Sequence, residues 1–145
     1  MKIAIGSDHA GFCLKEILKS YLQEKSIEVK DFGTYSEERA DYADFAHSVA
    51  VSVENKEADF GLLMCGSGNG INMAANKHKD IRSALCWNAQ IAELARQHND
   101  ANILTLPARF INEQEAKKCV DIFLNTAFEG GRHMERVKKI SGFYC

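Results

Sequence analysis

The chain has 145 residues, with 18 Lys and Arg against 20 Asp and Glu. Its net charge of -2 provides no broad positive field of the kind that captures nucleic acid or an anionic membrane. That length suits one domain over residues 1–145, long enough to bury roughly two thirds of the surface exposed when unfolded. The five cysteines are odd in number and never form a C-x-x-C pair, which suggests neither a disulfide framework nor a zinc knuckle and fits a reducing, cytoplasmic setting.

From the N-terminus, Lys2–Gly6 reads as a strand, without the charged region and longer apolar stretch of a secretory leader. Leu14, Ile17, Leu18, Tyr21 and Leu22 then make one apolar helical stripe. Further short apolar runs follow at Gly61–Cys65, Ser83–Cys86 and Asn102–Leu106, none long enough to span a bilayer. Between them lie a helix opening near Ile71 and another, capped by Asn88, that carries Ile91, Ala92, Leu94 and Ala95. Pro107 sits in a loop. Asn112 and Glu115 resemble a capping box before the stripe Ala116, Cys119, Val120, Phe123 and Leu124. After Gly130-Gly131 a last helix begins at about Arg132. This alternation predicts a three-layer, Rossmann-like (flavodoxin-like) α/β fold: a single-domain parallel sheet with helices on both faces. The C-terminal helix is expected at a subunit interface, because Met134, Val137, Ile140 and Phe143 recur at helical spacing with little of the chain left to cover them.

Ligands bind open parallel sheets at the carboxyl ends of the strands, so the chemistry is sought just after each apolar run. The first turn, Gly6-Ser7-Asp8-His9-Ala10-Gly11, allows a plain reading in which Asp8 caps a helix, worth about 1 kcal/mol, and His9 is solvated. A sharper signal comes where Cys65 runs directly into Gly66-Ser67-Gly68-Asn69-Gly70 ahead of a helix. The glycine spacing fails the dinucleotide fingerprint, and the Gly-Lys-Ser/Thr ending of a P-loop is missing. Small residues let amides approach a ligand closely at a helix N-terminus, which makes an oxyanion site. The same field is expected to favour a Cys65 thiolate. Cys13, Cys86 and Cys119 read as small hydrophobes.

His98, in Arg96-Gln97-His98-Asn99-Asp100, either interacts with a helix dipole or serves as an acid and base near neutral pH. Arg132 and Arg136 lie four apart on one helical face and suit a phosphate dianion, although Arg136 could equally pair with Glu129 or Glu135. Asp41, Asp44 and His47 fall at three-residue spacing, of which Asp44 and His47 share a face, and two ligands on one face are not a metal site. No metal or organic cofactor is expected.

Taken in order, Ser7–Gly11, Asp41-Tyr42, Cys65–Gly70, Ala74-Ala75-Asn76-Lys77, Arg96–Asp100 and Glu129–His133 resemble the ribose-5-phosphate isomerase B family, which also includes subunits of galactose-6-phosphate isomerase. The resemblance implies interconversion of ribose 5-phosphate and ribulose 5-phosphate through a cis-enediol, a step of the pentose phosphate pathway. It makes Cys65 the base, Ser67 an assistant in proton transfer, and the amides of Gly66, Gly68, Asn69 and Gly70 the enediolate holders. It assigns His98 to ring opening, Asp8, Asn99 and Tyr42 to the sugar, and His9, Arg109, Arg132 and Arg136 to the phosphate. It further implies a homo-oligomer, dimer or tetramer, in which His98, Asn99 and Arg109 reach the Cys65 site of a neighbouring chain. Residues 66–75 contain no carboxylate, so this is the cysteine type of the family. The alternatives are a six-carbon substrate, galactose 6-phosphate or allose 6-phosphate, and a non-catalytic nucleotide- or flavin-binding module.

Overall fold

The structure, a computed structural model, describes residues 1–142. Phe143 of the C-terminal apolar stripe lies outside the described residues. Among the described residues five strands alternate with helices, and a sixth helix follows the fifth: β1 (Lys2–Ser7), α1 (Phe12–Glu24), β2 (Glu28–Asp31), α2 (Tyr42–Glu54), β3 (Phe60–Cys65), α3 (Asn69–Ala75), β4 (Ser83–Leu85), α4 (Ala89–Asn99), β5 (Ile103–Pro107), α5 (Glu113–Asn125) and α6 (Arg132–Ile140). All strand pairings are parallel, in the order β2-β1-β3-β5-β4. The layers are those expected. The last two strands are exchanged relative to the flavodoxin order 2-1-3-4-5.

Strand alternation divides the core between the two faces of the sheet. Ile3, Ile5, Leu62, Met64, Leu104 and Leu106 pack with α1, α4 and α5, while Ala4, Leu63, Cys65 and Ile103 pack with α2 and α3. Both predicted caps are present: Asn88 Oδ1 accepts the Ile91 amide at 2.9 Å and Asn112 Oδ1 accepts that of Glu115 at 2.8 Å. The box at Asn112 is not reciprocal, because the Glu115 carboxylate turns outward to accept the Ala89 amide at 2.8 Å and so ties α5 to α4.

The strand β2 has no apolar run to announce it. Among the described residues Glu28-Val29-Lys30-Asp31 pairs only with β1 and forms a half-buried edge, where charged side chains are tolerated.

From β1 the chain steps outward to β2 and then returns to β3 on the other side of β1. That puts the topological switch point between the carboxyl ends of β1 and β3. Ser7-Asp8 and Cys65-Gly66 flank it.

Candidate active site at the carboxyl edge of the sheet

The two turns at the switch point are tied together. The Asp8 amide donates to Met64 O at 3.3 Å, and Asp8 Oδ1 accepts the Ala10 and Gly11 amides at 3.0 and 3.1 Å. Asp8 is 7 % exposed and helps shape the entry to α1, whose N-cap residue is Gly11. His9 Nδ1 is held 3.3 Å from both the amide nitrogen and the carbonyl oxygen of Ala40, leaving Nε2 for a ligand.

Cys65 is buried at the last position of β3. The amides of Ile71, Gly68 and Gly70 act on its sulfur and draw its pKa down, but burial outweighs them and, with the nearby Asp8 charge, pushes the thiol above its ordinary value. The expected low-pKa thiolate is therefore corrected. The nest is present, but it sits over an apolar face of the sheet that disfavours any charge. An ionised Cys65 is consequently a stronger base.

Gly68 adopts φ +77 as the N-cap residue of α3, and a β-carbon there would run into the Leu85 side chain. Ser67 is exposed, with its hydroxyl accepting from the Asn69 amide and side-chain nitrogen, each at 3.3 Å. Tyr42, the first residue of α2, lies over Gly70. These residues form one continuous wall.

Arg109 belongs to that wall. Its amide donates to Gly66 O at 3.0 Å, and its guanidinium lies 3.3 Å from the place a β-carbon on Gly66 would take. Grouping Arg109 with His98 is thus corrected: the turn after β5 folds back on the turn after β3, so Arg109 accompanies its own chain's Cys65.

His98 and Asn99 close α4, at the opposite edge of the sheet. Helices in this fold run against the strands, and the end of α4 meets the start of β5, where Arg82 Nε donates to Asp100 O at 2.8 Å and the Asn102 amide donates to Arg82 O at 3.0 Å. At about 3.3 Å per residue, the six residues of β3 separate the two edges by roughly 17 Å. Arg132 and Arg136 accompany His98, because α6 packs on α4 and the His98 and His133 rings stack at 4.3 Å with 12° between their planes. Both arginines are exposed, and among the described residues neither makes an ion pair.

The site residues therefore form two groups. One contains Asp8, His9, Tyr42, Cys65–Gly70 and Arg109; the other contains His98, Asn99, Arg132 and Arg136. Sequence spacing missed Glu129 and His133 as members of the second group. Glu129 Oε2 lies 3.5 Å from His133 Nε2, and the Glu129 amide donates to Gln97 O at 3.1 Å. Burial, followed by the neighbouring His98 and Arg132, lowers the pKa of His133. The signal was the i,i+4 pair Glu129 and His133 spanning Gly130-Gly131.

A buried thiol against a turn of amides, beside an arginine and at the switch point of a parallel α/β sheet, puts the candidate active site at the carboxyl edge. The chain belongs to the ribose/galactose isomerase family, whose model matches residues 3–140. It is 46 % identical to ribose-5-phosphate isomerase B of Escherichia coli (strain K12), over 97 % of this chain and 94 % of that one. The ribose 5-phosphate isomerase of Thermotoga maritima superposes with a TM-score of 0.95 at 56 % identity, over 97 % of each chain. The Mycoplasma genitalium ribose-5-phosphate isomerase B, solved with bound ribulose-5-phosphate, superposes with a TM-score of 0.91 at 46 % identity, over 97 % of this chain and 93 % of that one.

Proposed function

We propose that this chain interconverts ribose 5-phosphate and ribulose 5-phosphate, in the pentose phosphate pathway and in the cytoplasm, with Cys65 as the base. The observation that carries the reading is the Cys65 sulfur under the amides of Gly68, Gly70 and Ile71, next to Asp8 across the switch point. Family membership and the bound ketose phosphate of the Mycoplasma genitalium relative support the substrate class.

The reaction runs in two stages. In the first, His98 accepts the proton of the anomeric hydroxyl and returns it to the ring oxygen as the C1–O4 bond breaks, leaving the open aldehyde. In the second, ionised Cys65 removes the proton at C2. The electron pair moves into the C1–C2 bond and the carbonyl becomes an enediolate oxygen, which the amides of Gly66–Gly70 hold. Ser67 relays a proton between O2 and O1, and Cys65 delivers its proton to C1. The substrate's own carbonyl acidifies the C–H bond, so the scheme balances without an external oxidant, reductant or cofactor. His9, Arg109, Arg132 and Arg136 bind the phosphate, while Asp8, Tyr42 and Asn99 hold the sugar.

Because the two groups of residues lie at opposite edges of the sheet, one copy's Cys65 wall works with another copy's His98, Asn99, Arg132 and Arg136. A homo-oligomer is therefore the working form. Met134 and Ile140 on α6 are 39 % and 53 % exposed, which supplies apolar surface for a second copy.

Mixing inactive Cys65→Ala and His98→Ala chains under subunit exchange tests this reading. In a symmetric dimer about half the dimers are mixed, each with one intact site of two, so activity on ribose 5-phosphate recovers to roughly a quarter of wild type. Arg109→Ala complements His98→Ala but not Cys65→Ala. No recovery despite exchange verified by native mass spectrometry overturns the shared site, and faster turnover of allose or galactose 6-phosphate by wild type overturns the substrate.

A further inference from the structure

The corner between α4 and α6 contains more chemistry than ring opening requires. His98, Glu129 and His133 come from the end of α4, the turn before α6 and the first turn of α6, and their ligating atoms all lie within 4.8 Å of one another. We propose that this corner is a divalent transition-metal site of the two-imidazole, one-carboxylate type, taking Zn²⁺ or a neighbouring first-row ion, and that a bound ion silences the isomerase.

Three observations support the site. Two imidazoles and one carboxylate are a recognised zinc donor set that leaves coordination positions open. Ligating atoms around a tetrahedral zinc sit about 3.3 Å apart, and Glu129 Oε2 already stands 3.5 Å from His133 Nε2. The frame is also fixed, because the Glu129 amide is bonded to Gln97 O beside His98, and His133 is only 6 % exposed.

One rearrangement is required. The imidazole planes lie 12° from parallel with centroids 4.3 Å apart, so their lone pairs point side by side rather than at a common point. The His98 ring, the less buried of the two, turns to complete the site, and the exposed Glu129 carboxylate follows the ion. A donor set of nitrogen and oxygen favours zinc, nickel and copper over soft, thiolate-seeking ions.

The inhibitory consequence rests on the reading of His98 as the ring-opening group. An imidazole lone pair bound to a metal cannot accept the anomeric proton.

The test uses the intact protein, stripped with EDTA and exchanged into chelator-free buffer. Isothermal titration with Zn²⁺ is expected to give one saturable site per chain, and Co²⁺ visible d–d bands without a thiolate charge-transfer band. Glu129→Gln and His133→Asn each weaken binding by about tenfold or more. Zn²⁺ abolishes turnover of ribose 5-phosphate with a midpoint matching its binding curve, and EDTA restores it. No saturable binding, cobalt–thiolate absorption, or unchanged affinity in both variants overturns the site. Binding as described without loss of turnover leaves the metal site standing and overturns both the inhibition and the ring-opening role of His98.

Discussion

The Tyr42 ring lies flat against the α-carbon of Gly70: a β-carbon there would stand 2.5 Å from its Cζ and 2.8 Å from both Cε atoms. Glycine at this position lets the first residue of α2 close over the amide nest, so one residue in the first turn of α3 sets where another element's aromatic side chain can sit. Tyr42 is 44 % exposed and can swing outward, so Gly70→Ala costs little stability and instead opens the site. We expect kcat/KM on ribose 5-phosphate to fall about tenfold or more, ~1.4 kcal/mol of barrier, with a thermal midpoint within a few degrees of wild type. A large drop in melting temperature with unchanged kcat/KM refutes this.

Cys65→Ala should abolish isomerisation while the circular dichroism spectrum is retained. Losing the sulfur costs more packing than a strand-end position suggests, because Cys65 is only 4 % exposed and sits in the cluster containing Leu63 and Ile71. The cost is about 1 kcal/mol, well inside the stability of a domain this size. Activity persisting within about tenfold of wild type removes Cys65 as the base.

The pH profile should carry the same signature. Burial and Asp8 raise the Cys65 pKa above its ordinary 9.0, and the thiolate is the active form in the proposed reaction, so its population falls as pH drops below that range. In wild type, kcat/KM should therefore still be climbing at pH 9. A plateau reached below pH 7 means that a different group limits the reaction.

Cys86 and Cys119 are buried on the other face of the sheet, where burial pushes each thiol from 9.0 to about 12. Their folded pKa values lie above the unfolded one, so the stability they contribute is fully present below pH 9 and is lost as pH rises toward 12. Urea midpoints measured from pH 8 to 11 should fall, with a shallower slope in the Cys86→Ala, Cys119→Ala double variant. Identical slopes would place the alkaline loss in lysines and tyrosines instead.

His98→Asn should slow turnover of ribose 5-phosphate far more than that of ribulose 5-phosphate, because the ketose has no five-membered ring to open. Initial rates in each direction decide it. Equal losses rule out ring opening as the role of His98.

Much of this was legible in the linear chain, because the relevant forces act over a few residues. The alternation of short apolar runs with helical stripes is a local pattern that reads directly as strand and helix. The caps at Asn88 and Asn112, and the thiol running into Gly66–Gly70, depend on neighbours at most five positions away. The edge strand at Glu28–Asp31 was not legible. Its half-buried side chains need no apolar run, and its pairing with β1 is a long-range choice.

Only the tertiary structure decided which site residues share a wall. Arg109 joins Cys65 because β5 lies beside β3 in the sheet, whereas His98 ends a helix that runs the length of the sheet to its opposite edge. The acidity of Cys65 likewise depends on distant atoms: three local amides lower its pKa, but the apolar layer beneath and Asp8 across the switch point reverse the sign. The meeting of His98 with Glu129 and His133 across more than thirty residues required the packing of α6 on α4. Sequence carries what each residue can do, while distance and desolvation, which set partners and proton affinities, exist only once the chain has folded.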